Sequence, residues 1–121
     1  MADDPTTPEW HDTRFDPYIL AVGRITTLWA SLEWELNQTI WELANIELGA
    51  GACITSQIFT VSSRMRCIIA LVHYRHGSND LLGDLEKFMR KVEGLSRQRN
   101  RYIHDPSEAK MVEPTCKCDR R

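Results

Sequence analysis

The stretch SRQRNRYIHDP, Ser96 to Pro106, gathers Arg97, Arg99, Asn100, Arg101 and His104 into little more than two helical turns. A guanidinium never gives up its charge, and it presents its N–H groups as a rigid fork that matches a carboxylate or a phosphate. A histidine at the end of a helix can stand there because the helix dipole favours its cation. It can also stand there because a site needs a group that changes charge near neutral pH. Projected at about 100° per residue with Arg99 as origin, Phe88, Val92, Leu95, Tyr102 and Ile103 fall within about 60° of it. Arg99 is therefore planted in an apolar stripe and needs an anion. Arg97, Asn100 and His104 lie to one side, and Asn100 and His104, four residues apart, share a face. One candidate anion is internal. Glu33 lies about 40° from Trp29, at the border of an apolar stripe on an earlier helix, where an unpaired charge is costly. The residues alone leave two readings open: an Arg99–Glu33 pair that joins two helices, or an Arg99 meant for a phosphate.

The elements that must hold these groups are helices. Asp16-Pro17 reads as N-cap and first helical residue. Val22, Ile25, Trp29, Leu32, Leu36, Ile40 and Leu43 then recur at steps of three and four, a helical stripe expected to run to about Leu48 and to stop at Gly49 and Gly51. A second helix is expected from about Thr55 to Arg75, on Ile58, Val61, Met65, Ile68 and Val72, with His76-Gly77 as its stop. Ser78, Asn79 or Asp80 can cap a third, carrying Leu81, Leu85, Phe88, Val92, Leu95, Tyr102 and Ile103, and Pro106 should end it near His104. With no strand pattern and short connections, the fold class is all-α, an antiparallel bundle of three to four long helices. Trp34 and Trp41 project together outside the first stripe, near 120–140° from Trp29. The ridge could pack on the N-terminal arm or the tail, but little chain remains to cover it, so a homodimer interface is the favoured expectation.

Residues 1–15, with Pro5 and Pro8, read as a flexible arm, 16–106 as the bundle, and 107–121 as a polar tail. The chain has 121 residues, 42% hydrophobic and 26% charged, with a formal net charge of −2. That suits one domain with one core, and it confines any nucleic-acid contact to a local patch. No apolar run is long enough to span a membrane, and the acidic start lacks the apolar segment of a signal peptide, so the expected compartment is the cytoplasm. The four cysteines are then expected as thiols, with Cys67 as a small core residue. The "CKC" of Cys116 and Cys118 has the wrong spacing for a zinc site, and no metal or cofactor is expected.

The segment Arg99-Asn100-Arg101-Tyr102-Ile103-His104 resembles the R-x4-H motif of the HEPN superfamily, with the asparagine common after its arginine. "GRITTLWASLEWELN", Gly23 to Asn37, looks like the first helix of small members of that group, with W-x-x-L-E at Trp29, Leu32 and Glu33. The resemblance covers about residues 16–106; where some members carry a tyrosine two residues after the histidine, this chain has Pro106. It implies a small helical bundle and a metal-independent endoribonuclease, in a toxin or antiphage role, whose two motifs meet in a cleft between two copies. In that chemistry the RNA 2′-hydroxyl attacks the neighbouring phosphorus and leaves a 2′,3′-cyclic phosphate and a 5′-hydroxyl. The resemblance assigns His104 to proton transfer and Arg99 to gripping the phosphate. Asn100 orients His104 or the scissile phosphate, Arg97 and Arg101 hold neighbouring phosphates, and Glu33 supports Arg99. The implied partners are RNA, a second copy and, for a toxin, an antitoxin protein. The competing implication is an inactive HEPN-like module for dimerisation or ligand binding, in which Arg99, Glu33 and His104 form a structural network.

Overall fold

A computed structural model describes residues 16–104. The arm 1–15, the tail 107–121 and the Asp105-Pro106 stop lie outside the described residues. Four helices follow in order: α1 (Asp16–Ala44), α2 (Leu48–Thr55), α3 (Val61–His76) and α4 (Asp80–His104). The chain is all-α, an antiparallel helical bundle, and among the described residues there is no strand.

α1 ends four residues earlier than its stripe predicts. Asn45 takes the left-handed conformation at φ 54°, which asparagine tolerates better than most residues. Its amide donates to the carbonyl of Glu42 and that of Ile46 to Trp41, both at 3.1 Å, which satisfies two of the carbonyls a helix end leaves over. Gly49 and Gly51, expected as stops, lie inside α2. Gly51 is there for space: a Cβ at this position would come within 2.6–2.8 Å of the Trp41 ring. Gly51→Ala is therefore expected to lower stability by about 1–3 kcal/mol, although alanine is the better helix former. Denaturant unfolding of the two proteins measures it, and an unchanged midpoint would mean that Trp41 can step aside.

α3 starts at Val61, later than the predicted Thr55, because Thr60 caps it. The Thr60 hydroxyl accepts from the Ser63 amide at 3.0 Å. Its end at Gly77, φ 67°, is the one foreseen. Of the three residues able to cap α4, Asn79 does so, its side-chain oxygen accepting from the Leu82 amide at 3.2 Å. α4 runs through Gly83 and Gly94 and is helical up to His104, the last described residue.

Side-chain contacts fix how the helices lie. Ser62 donates to Glu93 at 2.6 Å, and Arg66 reaches the same carboxylate at 3.9 Å, so α4 returns along α3. Arg99 meets Trp29, and further toward the two ends the Tyr18 hydroxyl donates to the Tyr102 carbonyl. α4 thus runs antiparallel to α1 as well, and the short α2 supplies the reversal that lets α1 and α3 rise side by side. The core between them is Leu36, Ile40, Trp41, Val61, Met65, Ile68, Val72 and Val92. The stripe foreseen on α4 is covered less than expected: Val92 is its one buried member among the described residues. Leu81, Phe88 and Leu95 are about half exposed, because α1 and α3 cover a single row of α4.

Candidate functional site

The last two turns of α4 carry the arginines and the histidine. Arg99 is half-buried, while Arg97, Asn100, Arg101 and His104 are exposed. The Arg99 guanidinium lies over the face of Trp29, 5.2 Å from Cζ to the ring centre. This contact is attractive because the ring face is electron-rich, and it holds the planar fork in one orientation. Nη1 donates to the Asn100 side-chain oxygen at 3.3 Å. Nε is buried and has no hydrogen-bond partner among the described residues.

The expected Arg99–Glu33 pair is not formed. Glu33 turns to α3, where the Arg64 Nη1 lies 3.5 Å from its carboxylate. Arg64 is 9% exposed, and its Nε donates to Asn37 at 2.8 Å. Sequence reasoning missed Arg64, although a signal was there: it follows Val61 by three and precedes Ile68 by four, so it stands on the inner edge of α3. The physical reason for the changed partner is the stacking of α1 contacts. Trp29 and Glu33 are one turn apart on one face of α1; α4 occupies the tryptophan and α3 the carboxylate.

The Trp34–Trp41 interface also needs correction. Trp41 is 7% exposed. α2 folds over it, and its indole N–H donates to Thr55 at 3.3 Å. It belongs to the core, which the projection of a single helix could not show. Trp34 remains 50% exposed and meets Trp41 edge to face, with ring centres 5.6 Å apart.

The structure therefore brings Arg99 and Asn100 together, sets both on a Trp29 platform, and places His104 one turn beyond Asn100 on the same face. Glu33 stands apart from this set. Among the described residues no group of three or more His, Cys, Asp or Glu side chains is placed to hold a metal ion, and no helix is long and apolar enough to cross a membrane. Of the thiols, Cys53 is exposed, and Cys67 is half-buried against the core, where burial pushes its pKa up. With less thiolate and less access, Cys67 should be alkylated by iodoacetamide at pH 8 more slowly than Cys53. Peptide mass spectrometry reads both rates, and equal rates would mean that α3 opens readily.

No family model matches the chain, and neither a curated protein nor a solved structure matches it.

Proposed function

We propose that this chain is a metal-independent endoribonuclease, with Arg99, Asn100 and His104 as the working groups. One observation carries the reading. Arg99 is preset on an aromatic platform, while the carboxylate that would have neutralised it lies against Arg64. A charged fork that finds no anion among the described residues is complementary to one from outside, and a phosphodiester has the right shape and charge. Exposure favours the same reading over the sealed network, since Asn100 and His104 both face solvent. The R-x4-H resemblance makes RNA the substrate.

In the reaction, Arg99 binds the non-bridging oxygens and stabilises the charge that builds on the five-coordinate phosphorus. His104 takes the 2′-proton as the 2′-oxygen attacks, the bond from phosphorus to the 5′-oxygen breaks, and that oxygen gains a proton from solvent. Asn100 keeps the guanidinium aligned. Arg97 and Arg101 hold the flanking phosphates without regard to sequence.

Incubating the full chain with single-stranded RNA in EDTA tests the proposal. Products ending in 2′,3′-cyclic phosphate support it. Intact RNA at micromolar protein, or cleavage that requires added metal, refutes it.

A further inference from the structure

Along α4, Leu81, Phe88, Leu95 and Tyr102 recur every seven residues, with Leu85, Val92 and Arg99 between them. Steps of four and three are the pattern of a helix that packs lengthwise against another. The fold uses half of this seam. α1 and α3 cover the row of Leu85, Val92 and Arg99, whereas Leu81, Phe88, Leu95 and Tyr102 remain 50, 44, 49 and 37% exposed. The next row outward holds Asp84, Lys91 and Gln98, all exposed.

We propose that a second copy of this chain docks on the open row, with the two α4 helices antiparallel about a two-fold axis through Phe88. The charges choose both occupant and direction. Asp84 lies four residues before Phe88 and Lys91 three after it, on the same flank of the row and at nearly the same distance along the helix. In a parallel pair the two-fold axis would set the Asp84 and Lys91 of the two copies on opposite flanks, and they could not pair. About the antiparallel axis, Phe88 meets the partner's Phe88, Leu81 meets the partner's Leu95, and Asp84 meets the partner's Lys91. Symmetry repeats the last two contacts. A face that complements itself only when turned by two-fold symmetry is the mark of an isologous interface.

The interface differs from the expected Trp34–Trp41 surface, and it leaves Arg99, Asn100 and His104 of both copies open. At 1.5 Å per residue the two Arg99 groups stand about 33 Å apart along the axis, so this dimer carries two separate sites and is not the pair with a shared cleft that the HEPN resemblance implies. The dimer does not depend on the ribonuclease reading, and the two fail independently.

Sedimentation equilibrium of the full chain tests it with Asp84→Lys and with the double variant Asp84→Lys/Lys91→Asp. The expected result is a dimer that Asp84→Lys weakens about tenfold or more and that the double variant restores to within about threefold of the original. Asp84 and Lys91 are seven residues apart on one helix, too far to pair within it, so restoration reports the other copy. Phe88→Glu, at the axis, breaks the dimer independently should Asp84→Lys disturb the helix content seen by circular dichroism. A chain that stays monomeric at about 0.1 mM, where even a micromolar dimer is populated, overturns the proposal. So does a dimer indifferent to Asp84→Lys and Phe88→Glu, or one that Lys91→Asp fails to rescue.

Discussion

Arg99→Ala is expected to slow RNA cleavage in EDTA by about 10²–10³-fold, the usual cost of removing one preset donor to a transition-state oxyanion. His104→Ala should cost about 10²–10⁴-fold, because proton transfer to a positioned side chain is worth that much. The informative variant is Arg99→Lys. It keeps the charge but loses the fork and most of the contact with the face of Trp29, 5.2 Å from Cζ in the structure. An ammonium cannot hold two phosphate oxygens in fixed geometry, so lysine should recover less than about tenfold of the alanine loss. Trp29→Leu leaves the guanidinium in place and removes its platform. Its effect should fall on kcat more than on KM, since orientation matters most as charge develops. The flanking arginines behave differently. Arg97→Ala and Arg101→Ala should each weaken binding and lessen its dependence on salt, with little change in kcat. Rates are read from a fluorescently labelled single strand. Wild type, Arg99→Ala and His104→Ala cleaving at one rate would identify a contaminating nuclease and end the assignment.

The parts of this molecule that were legible in the sequence are those decided by local chemistry. Gly77 stops α3 because a left-handed residue is needed there, and Asn79 caps α4 because its side chain accepts from an amide three residues on. Both are signals carried by a few neighbouring residues. The rest depended on what lies beside a helix in space. Gly49 and Gly51 resemble stops in isolation, but Gly51 is needed where α2 passes against Trp41. The same short helix turns Trp41 from a ridge into core. At the site, the projection of α4 found Arg99 in its stripe and Glu33 in need of a cation, which was right for each residue separately. It offered the pair as one of two readings because no projection tells which of two cationic helices borders which turn of α1. Arg64 supplied the answer from α3. The surplus apolar row of α4 escaped for a related reason: a heptad announces that a helix packs lengthwise, without saying how much of the seam its own chain fills.

Arg64 is where the largest loss of stability is expected. Its side chain is 11% exposed, its Nε donates to Asn37 at 2.8 Å, and its Nη1 lies 3.5 Å from Glu33. Arg64→Ala removes the cation, strands the carboxylate at the α1–α3 contact and empties the space filled by the arginine stem. The expected cost is about 3 kcal/mol, at the low end for a broken buried pair, because the Glu33 side chain keeps 35% of its surface in water. Arg64→Met with Glu33→Leu should recover most of that loss, since two apolar groups of similar volume leave nothing stranded. Glu33→Leu alone should cost less than Arg64→Ala, because the remaining guanidinium keeps Asn37. The same variants separate scaffold from site. In Arg64→Ala, Glu33 is released one turn along α1 from Trp29, the ring that supports the Arg99 guanidinium. It becomes the internal rival that phosphate does not face in the native chain. RNA affinity should then fall together with stability in Arg64→Ala, and return in Arg64→Met/Glu33→Leu. Urea unfolding and fluorescence anisotropy of labelled RNA read the two effects. Stability within about 1 kcal/mol of the native protein would show that the bridge does not hold α1 to α3. Unchanged RNA affinity in a destabilised Arg64→Ala would show that Glu33 never competes for Arg99, and that Arg64 serves the fold alone.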